Sequence, residues 1–194
     1  MKAWMTTALV SLSLTGSVSA AVITLDFDSA ATGSGIVAAP LVTALGTITA
    51  TNVEFWTVAS GNDPDFIAAG ASGNTIDFTG TSPTVARLSF DFDVSSIRLI
   101  YGGNDGDITI RIRDGANNLL DSFYQANTGS AQPAGPITLS GAGIRSLEWF
   151  ESAANNQFAP LDNVEITASV VPEPATLALL GLGLAGPAAA RRRR

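Results

Sequence analysis

Cysteine and histidine are absent from all 194 residues, and the single lysine is Lys2. Without cysteine there are no disulfides, thiolate nucleophiles or thiolate metal sites. Without histidine there are no imidazole ligands, and a serine nucleophile has no histidine base. With no lysine beyond Lys2, Schiff-base catalysis has no amine to use. Acid–base work is left to carboxylates, and any metal must be bound through oxygen, which makes Ca²⁺ the natural candidate. Also missing between the two ends is any convincing 3.6-residue apolar period, so an amphipathic helical bundle is not expected.

What is present begins with two apolar termini. At the first, Lys2 leads an apolar run from Ala8 to Leu14, and Val18-Ser19-Ala20 supplies small residues. That tripartite order is the pattern of a secretory signal helix cut by signal peptidase after Ala20. At the other end, Val171-Pro172-Glu173-Pro174 precedes an uncharged run from Ala175 to Ala190, and Arg191, Arg192, Arg193 and Arg194 close the chain. Sixteen residues at 1.5 Å each give roughly 24 Å, somewhat under the ~30 Å hydrocarbon core, and Val170, Val171 and local thinning reduce the shortfall. A membrane helix tolerates Gly181, Gly183 and Gly186, and the four arginines hold its end in the cytoplasm.

The order of Pro-Glu-Pro, a glycine-dotted apolar helix and an arginine cluster resembles the PEP-CTERM protein-sorting signal of Gram-negative bacteria. The resemblance covers Val171 to Arg194 and departs from the usual pattern only at Pro187. It implies export through the inner membrane, transient anchoring by the C-terminal helix, and cutting near Pro172, Glu173 and Pro174 by exosortase, an integral-membrane cysteine transpeptidase-like enzyme. The destination it implies is the cell surface or the extracellular polysaccharide of a biofilm matrix. The expected organisation is therefore a signal peptide over residues 1–20, a body over 21–169 and a sorting signal over 170–194.

The body holds five arginines against sixteen carboxylates, a net charge of −11. Nucleic acid is an unsuitable partner, since phosphate binding needs a basic stripe. Strand signals dominate: Val22 to Asp28, Thr47 to Val58, Thr75 to Thr79, Val85 to Asp93, Ser96 to Tyr101, Asp107 to Arg113, Asn118 to Tyr124, Pro136 to Ser140, Ile144 to Phe150 and Asn163 to Ala168. These are rich in Val, Ile, Thr and aromatics, with turn residues between many of them. In Leu88-Ser89-Phe90-Asp91-Phe92, and at Ile108, Ile110 and Ile112, strict alternation sends apolar side chains inward. The expected fold is all-β, an antiparallel β-sandwich of the jelly-roll kind, with a closed barrel as the alternative.

Three sets of residues are candidates for a site. Asn104 to Asp107 and Asp114 to Asn118 alternate carboxylates and amides as a calcium loop does, but hairpin chemistry accounts for both. Asp26 and Asp28 flank Phe27 and share one face of the first strand. Ala159-Pro160-Leu161-Asp162-Asn163-Val164 resembles the segment closing many PEP-CTERM bodies and related lectin-like jelly rolls, with Pro160 inserted. That resemblance implies a structural Ca²⁺ held by Asp26, Asp28 and Asp162. Trp56 and Trp149 are candidates for stacking on sugar rings, although Phe55-Trp56 and Trp149-Phe150 each send one ring of the pair into the core. The loop Gly61 to Phe66 offers polar groups to the same kind of ligand.

The expectation is a non-catalytic, exported surface or matrix protein, glycan-binding or adhesive. The alternatives are a polysaccharide-active enzyme using Glu54, Glu148, Glu151 or Glu165, none of which the sequence pairs, and a purely structural matrix component.

Overall fold

Two long strands give the sandwich its form: β7 (Ala86–Tyr101) and β10 (Gly135–Glu151) run antiparallel, from Gly135 opposite Tyr101 to Trp149 opposite Ala86. The computed structural model describes residues 20–28, 35–37, 39–57, 64–79, 84–103, 106–126, 134–152 and 159–169. All of them lie in one unit, Ala20–Ser169. The signal segment through Ser19, the sorting residues Pro172, Glu173 and Pro174, and Arg191 to Arg194 lie outside the described residues, as do the two terminal helices expected there.

The other free edge of β7 changes partner halfway along. Its first half pairs with β4 (Thr47–Thr51), Ile48 opposite Phe90. Its second half pairs with β11 (Leu161–Ala168), Ile166 opposite Ile97. At the change, the buried positions switch from the even set Ala86, Leu88, Phe90 and Val94 to the odd set Ile97, Leu99 and Tyr101. Ser95 sits at this irregularity and donates its hydroxyl to the carbonyls of Thr167 and Ala168, at 3.2 and 3.4 Å. A bulge of this kind bends a strand and increases its twist. The facing strand β10 has its own register shifts between Ser140 and Ser146. What reads in sequence as two pairs of short strands is thus one pair of long, bent ones.

The remaining strands extend the sheet outward. β8 (Ile108–Asp114) pairs with β10, and β9 (Leu119–Gln125) with β8. β1 (Val22–Leu25) pairs with β11. β6 (Asn74–Phe78) touches β11 at Ile76 and pairs with β5 (Val53–Thr57), which carries β2 (Gly35–Ile36). β3 (Leu41–Val42) pairs with β4. The result is one curled antiparallel sheet of eleven strands, the β-sandwich of jelly-roll type that alternation predicts.

Most of its interior is one apolar cluster drawn from many strands, including Ile48, Ile76, Leu88, Ile97, Ile110 and Trp149. The expected strand Thr47 to Val58 is interrupted at Asn52, which takes a φ of 56° and donates its amide to the Val85 carbonyl at 3.1 Å. Asparagine is among the few residues that adopt this backbone at low cost. Part of the expected polar loop Gly61 to Phe66 forms a helix instead, α1 (Pro64–Ala68), whose Phe66 packs with Ala71 and Ile100 in a small second cluster. Little more than one helical turn is too short to show a period in sequence.

Candidate functional site

On the stretch where β10 lies between β7 and β8, every second side chain enters the core: Ala86, Leu88, Leu147, Trp149, Ile110 and Ile112. Those between them face outward. Register places Glu148 opposite Arg87 on one side and Arg111 on the other. Its carboxylate accepts from Arg111 Nε at 2.5 Å and from Arg113 Nε at 3.0 Å on one oxygen, and from Arg87 Nη2 on the other. The glutamate side chain is 2% exposed, whereas Arg87, Arg111 and Arg113 are 41%, 27% and 19% exposed. Arg111 also lies over the Phe150 ring, 5.2 Å from its centre, and Arg113 Nη1 donates to the Asn117 carbonyl at 2.9 Å. Burial pushes the Glu148 carboxyl up, but the hydrogen bonds from Arg113, Arg111 and Arg87 outweigh it and hold it below the usual glutamate range. Glu148 is thus a fixed anion and not a proton donor for catalysis near neutral pH.

The other glutamates do not form a pair with it. Glu54 accepts the Trp56 indole N–H at 2.7 Å, and Glu151 accepts the Gly106 N–H at 2.5 Å. Glu165 stands opposite Thr24 and Arg98. One acid that sequence reasoning passed over is Asp77. It is buried, accepts from the backbone of Phe78 and Ala159 at 2.7 and 3.2 Å, and feels the charges of Glu54 and Glu151. Burial drives its carboxyl well above the usual range. Sequence carries no sign of this, because alternation with Ile76 and Phe78 makes Asp77 read as an outward residue, whereas all five residues of β6 are buried.

Of the two tryptophans expected to stack on sugar rings, one lies in the core. Trp149 is 0% exposed, between Ala86 and Ile110 in register, so it has no face to offer a ligand. Phe150 is the outward member of that pair, and Arg111 lies over it. Trp56 is partly exposed on β5, with its indole anchored to Glu54.

Asp26 and Asp28 do not stand on a face of the first strand as expected: β1 ends at Leu25, and Phe27 between them turns the chain with a φ of 58°. Their charges reach Asp162 of β11 at one corner of the sheet. Asp162 accepts from the Ser72 and Asn163 N–H groups at 3.0 and 2.7 Å, and Asp28 accepts from the Asn74 N–H at 3.0 Å. Gly73 lies between those two donors with a φ of 58°, and a Cβ there would collide with the Asp28 carboxylate. Oxygen donors of this kind suit Ca²⁺ in chemistry. However, among the described residues no three acidic groups are arranged to hold a metal ion, so no role for calcium is derived. The Asp114 to Asn118 turn is a hairpin, with Asp114 Oδ1 accepting from Ala116 and Asn118 at 2.9 and 2.8 Å.

The corner has a consequence for pH. Asp162 is 1% exposed, and burial, reinforced by the charges of Asp28 and Asp26 and opposed by the bonds from Ser72 and Asn163, raises its pKa to about 6. Between the unfolded value and about 6 the folded chain binds more protons than the unfolded one. Stability from this group therefore falls as pH rises through that window, by up to roughly 3 kcal/mol. Asp77 acts in the same direction. Glu148 and Asp114, both lowered, contribute stability that is lost as pH falls below the usual carboxylate range. Urea midpoints are expected to be highest in mildly acid solution and to decline towards pH 7.5, with a flatter decline in Asp162→Asn. A midpoint that climbs from pH 5 to 7 contradicts this.

Residues 170–194 match the family model described as the PEP-CTERM protein-sorting motif. The chain therefore carries a signal for export and exosortase sorting to the surface. No curated protein sequence matches the chain. Among solved structures, the chain is similar to a cleaved adhesin domain of Lys-gingipain from Porphyromonas gingivalis, at 13% identity and a TM-score of 0.46, covering 77% of this chain and 99% of that one. It is also similar to a family 35 carbohydrate-binding module from Paenibacillus barcinonensis, at 18% identity and 0.38, covering 63% and 93%. A third is a β-1,3-glucan-binding family 6 module from Bacillus halodurans, at 17% identity and 0.36, covering 62% and 89%. Likenesses this distant say nothing of function.

Proposed function

We propose that this chain is an exosortase-sorted protein of the cell surface or extracellular matrix whose β-sandwich binds glycan without catalysis. The observation that carries the reading is the sorting motif at residues 170–194, placed after an acidic β domain. Signal peptidase removes the first address, the inner membrane holds the second, and exosortase severs it near Pro172, Glu173 and Pro174. The absence of a catalytic role is supported by Glu148, which three arginines fix as an anion, and by a body lacking Cys, His and Lys. Glycan binding is supported by the partly exposed indole of Trp56, held in place by Glu54.

The test is fractionation of cells that do or do not contain an exosortase, with intact-mass measurement of the product. With exosortase, the chain is expected outside the cell and shortened at both ends. Without it, or with Pro172, Glu173 and Pro174 replaced by alanine, the C-terminal segment is retained and the chain stays in the inner membrane. An uncut, water-soluble chain in the cytosol overturns the reading.

A further inference from the structure

We infer that the outward face built from Arg87, Arg111 and Arg113 is a binding surface for acidic polysaccharide, recognising uronate carboxylates. The inference rests on the glycan-binding reading above and adds the chemical class of ligand and the residues that select it.

The charge distribution is the first argument. The body carries five arginines, and three of them converge on one buried carboxylate. The other two are matched singly: Arg145 pairs with Asp93 at 2.8 Å, and Arg98 stands across from Glu165 in register. One carboxylate needs one cation. Three cations on Glu148 leave an excess of two positive charges, partly exposed, on a domain whose net charge is −11. A purely structural ion pair has no use for that surplus, which gives an acidic group a local place to bind on an otherwise acidic domain.

Geometry is the second argument. Guanidinium forks match carboxylates in two-point contact, which a point charge does not. Glu148 accepts from Nε of both Arg111 and Arg113, which fixes these forks before any ligand arrives, so little side-chain freedom is lost on binding. The Phe150 ring beneath Arg111 adds a flat apolar element. Exposed Thr49, Thr51 and Ser122 border the row, Thr51 opposite Arg87 and Ser122 opposite Arg111, and offer hydroxyls to a sugar.

The experiment compares polygalacturonate with its methyl ester, the same backbone stripped of charge, and with neutral dextran and laminarin. The full chain is kept in solution by a non-ionic detergent and read by calorimetry. Binding to polygalacturonate is expected to weaken with added salt and to be at least about tenfold tighter than to the ester. Arg87→Ala, the most exposed of the three, is expected to lose about tenfold in affinity while its melting temperature stays near that of the parent, and Arg87→Lys to fall between. Equal binding of acid and ester, or an affinity untouched in Arg87→Ala, overturns the arginine surface and leaves the glycan reading standing. The ester comparison decides the matter even where a variant fails to fold. Failure to bind any of the four polysaccharides overturns both.

Discussion

Trp149→Ala is expected to destabilise the domain by about 4 kcal/mol, the range of a large aromatic deleted from a packed core. The indole is fully buried on β10, and its strand neighbours are Ala86 and Ile110. Nothing else occupies that volume, and two flanking strands held by continuous pairing have little freedom to collapse into it. The indole N–H finds no acceptor among the described residues. A buried donor without a partner costs about 1–3 kcal/mol, so Trp149→Phe removes a penalty while losing only part of the volume. Its net effect is expected to stay within about 1.5 kcal/mol of the parent, as for other size-conserving core changes. Urea titration of both variants checks this, and a loss under 1 kcal/mol in Trp149→Ala would show that the ring does not pack as described.

Glu148→Ala is expected to cost roughly 3 kcal/mol or more, because it removes the one anion from a site holding three cations. The arginines then repel one another across neighbouring strands β7, β10 and β8. Added salt is expected to recover part of this loss in the variant and to change the parent little. Arg87→Ala, in contrast, leaves Glu148 with two partners and removes a side chain already 41% exposed, so its effect on stability is expected below about 1 kcal/mol. A Glu148→Ala protein as stable as the parent would show that the carboxylate does not organise this face.

The fold class was legible because alternation is a local property. Ile108, Ile110 and Ile112 identify an inward face without reference to any partner strand, and the same holds for Leu88 and Phe90. The continuity of β7 was not legible, since Ser95 and the change of inward positions around it interrupt the pattern that alternation relies on. The turn at Asp114 was readable from its own side chains; the reversal at Asn52 lies between two β-prone segments and leaves no hydropathy signal. The arginine face shows the limit most clearly. That Arg87, Arg111 and Arg113 point outward follows from their apolar neighbours, but their convergence on Glu148 depends on register across three strands separated by long stretches of chain. For Trp149, too, only pairing decides which of two adjacent aromatics enters the core. The sorting signal needed no register, because its order of motif, helix and arginines is linear.

Strand β1, the first of the domain, is completed by β11, the last: Val22 lies opposite Thr167 and Leu25 opposite Val164. The second half of β7 likewise has no partner on that edge until β11 is present. A polypeptide exported amino end first therefore cannot close this sheet while it is threading, because the closing strand is the last to emerge. Strand order thus leaves the sheet incomplete until the residues just before the sorting signal are in place.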